Sequence, residues 1–100
     1  MKTAIIGKIR IADDKIAEAR GVISTLVAAT RAEAGCISYG FAEDTEEPGL
    51  FRISEIWADG EALEAHMKAP HFAVWGAAAA GFGITDREVY ILTVASERKL

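Results

Sequence analysis

Residues 51–75, FRISEIWADGEALEAHMKAPHFAVW, decide the fold of this chain. Phe51, Ile53, Glu55 and Trp57 alternate with Arg52, Ser54 and Ile56, the period of two of a strand. Asp59 follows, a residue whose short carboxylate accepts hydrogen bonds from the free amides of a first helical turn, so a helix starts here. Leu63 and Met67 share one face of that helix at i,i+4, and Ala62 and His66 share the adjacent face. Pro70 ends it, because proline lacks an amide and disfavours helical geometry at Ala69, yet proline suits the first turn of a new helix. That second helix carries His71 and Trp75 one turn apart. Both tryptophans and both histidines of the chain fall in this segment, so any chemistry is expected near it.

Working outward, Ile37 to Ala42 places Ile37, Tyr39 and Phe41 on one face and Ser38, Gly40 and Ala42 on the other. Glu43 to Gly49 is polar and closes on the turn pair Pro48-Gly49, which predicts a hairpin into the Phe51 strand. Further upstream, Ala19, Ile23, Leu26, Val27 and Thr30 follow helical spacing from Ile16. Asp13-Asp14 is the expected N-cap, and Gly35 the expected left-handed residue past the helix end. Ala4 to Ile11 reads as a first strand, with Gly7 as a bulge or close-approach point. Downstream, Gly76 to Gly83 extends the helix through its alanines until the glycines stop it, and Glu88 to Ala95 is a last strand.

The order is β-α-β-β-α-β, so the expectation is one α+β domain over residues 1–100 with a ferredoxin-like fold: an antiparallel sheet with helices on one face. Val89, Ile91 and Thr93 lie on one side of the last strand and Tyr90, Leu92 and Val94 on the other. Both sides are apolar although helices cover only one. A second copy of the same sheet is the simplest cover, which predicts a homodimer with sheets facing each other.

Composition excludes several classes. The chain is 51% hydrophobic and 26% charged, an ordinary globular balance. Its net charge is -4 and its basic residues are scattered, which argues against nucleic acid or an anionic membrane as partner. No apolar run is long enough to span a bilayer, and the first residues, MKTAIIGKIRIADD, lack a cleavable leader pattern. The lone Cys36 offers neither a disulfide nor a metal-binding pair, so a cytoplasmic protein is expected.

Within the central segment an imidazole at His66 can exchange protons near neutral pH, as a base or a substrate partner; a structural bond to a backbone carbonyl explains it equally. His71, in the first turn of its helix, is a substrate-binding candidate or a solvated side chain. Trp57, Phe72 and Trp75 offer flat apolar walls for an aromatic ligand, or core. Tyr39 can orient a ligand oxygen as a catalytic partner of His66. Arg52 falls on the strand face opposite Trp57, outside one shared pocket. The nearby cations by sequence are Arg52, Lys68 and Arg87. No metal is expected: the helix break between His66 and His71 prevents the i,i+4 pair of helical zinc sites, even with Glu55 or Asp59 at hand. Cys36, after a helix C-terminus, is a poor nucleophile.

The run Glu55-x-Trp57-x-Asp59, Ala62-Leu63, His66 and Pro70-His71-Phe72, preceded by Gly35-Cys36-Ile37-x-Tyr39, resembles the antibiotic biosynthesis monooxygenase domain family. The resemblance implies a dimeric α/β barrel with a pocket between sheet and helices in each subunit. Members of that family include cofactor-free oxygenases of aromatic polyketides or quinols, haem-degrading enzymes and an isomerase-like enzyme of phosphorylated sugars. This sequence contains no asparagine or glutamine, and the haem branch's tryptophan and haem-ligating histidine fall by register on His66 and Gly76. Haem degradation is therefore not expected. The leading expectation is a cofactor-independent monooxygenase joining molecular oxygen to a small aromatic, quinol or polyketide-like substrate. The alternatives are an isomerase of a small phosphorylated or keto metabolite, or a non-catalytic ligand-binding or dimerisation module.

Overall fold

The computed structural model describes all 100 residues. Four strands, β1 (Thr3–Arg10), β2 (Cys36–Glu43), β3 (Leu50–Trp57) and β4 (Thr85–Thr93), form one sheet in the order β2-β3-β1-β4. Every neighbouring pair is antiparallel. Helices α1 (Ile16–Arg31), α2 (Gly60–Met67) and α3 (Pro70–Ala79) fill the connections, giving the ferredoxin-like α+β order with its second helix broken in two. The sheet is open within one chain, with β2 and β4 as its edges.

Period-two patterning fixes which side each strand shows to the helices. Ile5, Ile9, Phe51, Ile53, Glu55 and Trp57 are buried, while Ile6, Arg52, Ser54 and Ile56 point to the bare face. Along α1 the buried residues are Ala19, Ile23, Leu26 and Thr30, one stripe at helical spacing that lies against this sheet face. Asp59 Oδ1 accepts from the Ala62 amide at 2.8 Å and caps α2. Pro70 opens α3 with Ala69 extended before it.

Three local expectations are corrected. Asp13 and Asp14 make no cap bond; they sit in a short 3₁₀ turn (Asp13–Lys15) that leads into α1. Gly35 is not left-handed: positive φ occurs at Gly49, Gly83 and Asp86. Its role is steric, since a Cβ there would lie 2.3 Å from the Ala62 Cβ. Ile37 does not share the face of Tyr39 and Phe41. The register shifts between Cys36 and Ser38, a bulge that inverts the alternation and leaves Ile37 exposed.

No helix makes extensive contact with β4, so this strand is exposed along both faces, including Tyr90, Ile91 and Leu92. With Ile6 and Ile56 on neighbouring strands, Tyr90 and Leu92 form an apolar strip on the bare face. No helix is long and apolar enough to cross a membrane.

Candidate active site

A cavity of about 210 Å³ lies between the sheet and α2–α3, beside the β4 edge. Nine of its twelve lining residues are apolar, and the other three are Glu55, His66 and Arg87. Glu55 arrives there because strand alternation puts it on the same face as Ile53 and Trp57; His66 comes from α2, and Arg87 from β4.

His66 is 2% exposed and set among aromatic rings. Its ring centroid lies 4.7 Å from Trp57, 5.0 Å from Phe72 and 5.3 Å from Tyr39. Its Nδ1 stands 2.7 Å from Glu33 Oε2, and His71 Nε2 stands 2.7 Å from the same oxygen. A carboxylate only accepts, so both facing ring nitrogens carry the proton. For His66 that leaves Nε2, which makes no hydrogen bond within the chain, as the nitrogen available to a ligand in the cavity.

The turn between α1 and β2 holds Glu33 in place. The Glu33 amide donates to the Thr30 carbonyl at 3.0 Å, the Cys36 amide to the Glu33 carbonyl at 3.1 Å, and the Ala58 amide to the Gly35 carbonyl at 2.9 Å. The last bond ties this turn to the β3–α2 link, which explains why Gly35 must pack so closely on Ala62.

Burial sets the charge states around the cavity. Desolvation raises the Glu55 carboxyl above its ordinary value, partly offset by the hydrogen bond from Trp57 Nε1 at 2.9 Å and by nearby His66. Desolvation, reinforced by Glu55, pushes the Tyr39 phenol well above its usual range, so this hydroxyl stays a donor throughout the physiological range. The Cys36 thiol is raised by burial and by Glu33, which opposes thiolate formation.

The sequence-predicted residues divide into two groups. Tyr39, His66 and Phe72 line the cavity. Trp57, Trp75 and His71 do not: Trp57 is 0% exposed beneath His66, Trp75 packs between Phe41 and Phe82, and His71 turns to Glu33. Arg52 points away, to Asp44, as alternation required. Sequence reasoning missed Glu33, and it missed Glu55 as an acid or base. Glu55 had a signal, an acidic residue on an otherwise apolar strand face. Glu33 had none, because its partners lie on other elements.

These features define an α+β protein of ferredoxin-like fold whose largely apolar cavity carries an imidazole and a carboxyl. The chain belongs to the antibiotic biosynthesis monooxygenase family, whose model matches residues 3–78. It is 37% identical over 68 residues to an uncharacterised protein, sll1783, of Synechocystis sp.; the match covers 68% of this chain and 46% of that protein. The chain thus spans about half the length of this curated relative. Among solved structures, Rv0793 from Mycobacterium tuberculosis is similar with a TM-score of 0.89 at 24% identity, covering 99% of this chain and 100% of that one. PA3566 from Pseudomonas aeruginosa has a TM-score of 0.85 at 27% identity, with 95% of each chain covered.

Proposed function

We propose that this protein is a cofactor-independent monooxygenase that joins molecular oxygen to a small electron-rich aromatic, a phenol, quinol or polyketide-like ring. The observation that carries this reading is His66, held by Glu33 with one ring nitrogen free, beside an apolar cavity of about 210 Å³. That volume is below the ~300–1,000 Å³ of most drug-sized ligand sites, which suits a substrate of one or two rings.

His66 Nε2 takes the proton of a ring hydroxyl, and Glu33 stabilises the imidazolium through Nδ1–H. The resulting phenolate passes one electron to oxygen, giving a substrate radical and superoxide, which combine at a ring carbon bearing hydrogen. Loss of water from the hydroperoxide leaves a quinone, so one oxygen atom enters the product and the other departs as water. All electrons come from the substrate. Tyr39, whose protonated hydroxyl lies beside Thr30, and Phe72 form flat walls, and the aliphatic lining excludes water. His71, Trp57 and Trp75 serve behind this surface, the first through Glu33 and the others as packing for His66 and Phe41.

The apolar strip of Ile6, Ile56, Tyr90 and Leu92 supports a homodimer in which two open sheets face each other and complete a barrel. Arg87 in the cavity wall favours a second reading, isomerisation of a small phosphorylated or keto metabolite with His66 moving the proton. Oxygen-electrode assays over a panel of quinols and hydroxylated polyaromatics test the first reading. Oxygen uptake with quinone formation is the expected result; no uptake across the panel sinks it.

A further inference from the structure

Glu33, His66 and His71 converge from three elements, the α1–β2 turn, α2 and the first turn of α3. Their nearest donor atoms all lie within 4.8 Å of one another, and Glu33 Oε2 is 2.7 Å from each ring nitrogen. We propose that these three side chains form a binding site for a single late first-row divalent cation such as Zn²⁺. The helix break after Met67, which forbids an i,i+4 histidine pair, instead turns His71 back towards His66, with ring centroids 5.8 Å apart.

Two imidazoles and one carboxylate make a donor set suited to Zn²⁺, Fe²⁺, Co²⁺ or Ni²⁺, and a poor one for Mg²⁺ or Ca²⁺, which prefer all-oxygen sites. Bonds of about 2.0–2.2 Å place the ligands of a four-coordinate Zn²⁺ about 3.4 Å apart. The present separations bracket that spacing, so rotation of side chains suffices to admit an ion in place of the two shared protons. Glu33 is backed by the turn's backbone bonds and His66 by its aromatic neighbours, so two ligands are already oriented.

Glu33 and His71 do not line the cavity, so the ion would sit behind His66 rather than touch a ligand there. A cation on Nδ1 requires the ring proton to move from Nδ1 to Nε2, and His66 then presents a donor to the cavity instead of an acceptor. That consequence rests on the oxygenase reading; binding of the ion does not.

Isothermal titration of purified, chelator-treated protein with Zn²⁺, alongside Co²⁺ absorption spectra, tests the site without any activity assay. The expected result is one ion per chain, with affinity at least about tenfold weaker in Glu33→Gln and in His71→Gln and unchanged in Cys36→Ser. Co²⁺ spectra should lack thiolate charge transfer. Circular dichroism and melting controls establish that each variant folds; if Glu33→Gln does not, His71→Gln, at a partly exposed position, decides. No stoichiometric binding, equal affinity in a folded His71→Gln variant, or loss of binding in Cys36→Ser overturns the proposal.

Discussion

Glu55 and Trp57 sit two residues apart on one face of β3, and the indole Nε1 donates to the Glu55 carboxyl at 2.9 Å in a buried setting. This bond satisfies the tryptophan and leaves a carboxyl desolvated at the cavity wall. A carboxyl raised by burial stabilises the fold below its ordinary value of 4.5 and loses that contribution as pH rises through the higher folded value. Glu55→Gln keeps an acceptor for Trp57 and removes the titration. Its melting temperature should exceed that of the wild type at pH 8, with the gap closing as pH falls through the raised folded value and gone by about pH 4.5. Thermal melts of both proteins across pH 4–8 check this, and a constant gap would remove Glu55 as the cause.

His66→Phe keeps the helix and most of the volume but deletes both ring nitrogens. Oxygen uptake should fall by about 10²–10⁴-fold if His66 is the base, while stability changes by about 0.5–3 kcal/mol, as for other core substitutions. Turnover measured with a melting control separates the two effects. Full activity in the variant would move the base to Glu55 or to the substrate's own acidity.

Ile6→Lys with Leu92→Lys places two charges on the bare sheet face, at neighbouring positions of β1 and β4. Light scattering should give twice the chain mass for the wild type and the single-chain mass for this variant. The secondary structure by circular dichroism should not change. A monomeric wild type at micromolar concentration would end the facing-sheet arrangement.

Gly35→Ala forces a methyl to within 2.3 Å of the Ala62 Cβ. Overpacking of this kind destabilises by about 1–3 kcal/mol, and here it also pushes the turn bearing Glu33 away from His66. Adding Ala62→Gly should recover most of the lost melting temperature. Failure of the double variant to recover would show that backbone geometry, and not this contact, selects glycine.

Local signals carried the fold. The α1 stripe, the Asp59 cap, the break at Pro70 and the alternation of β3 all lie within a few residues of what they determine, and each matches the structure. The errors fell where a single residue alters a local rule, as the bulge does at Ile37. The site was legible only in part. Alternation gave the face of Trp57 but not its depth beneath His66, which is fixed by α2 packing across the sheet. Glu33 joins His66 and His71 through tertiary proximity alone, which no periodicity encodes.

The sheet order also governs how the cavity is built in time. Strands β2 and β3 are joined by a short turn, whereas β1 and β4 pair residues such as Ala4 and Leu92 from distant parts of the chain. Closing so long a loop carries a larger entropic penalty than closing the hairpin, which favours pairing of the hairpin first. The wall that bears Arg87, Val89 and Ile91 is therefore expected to assemble after the hairpin that bears Tyr39 and Glu55. Destabilising changes in β4 should consequently speed unfolding and leave the refolding rate nearly untouched, the kinetic mark of a strand absent from the transition state.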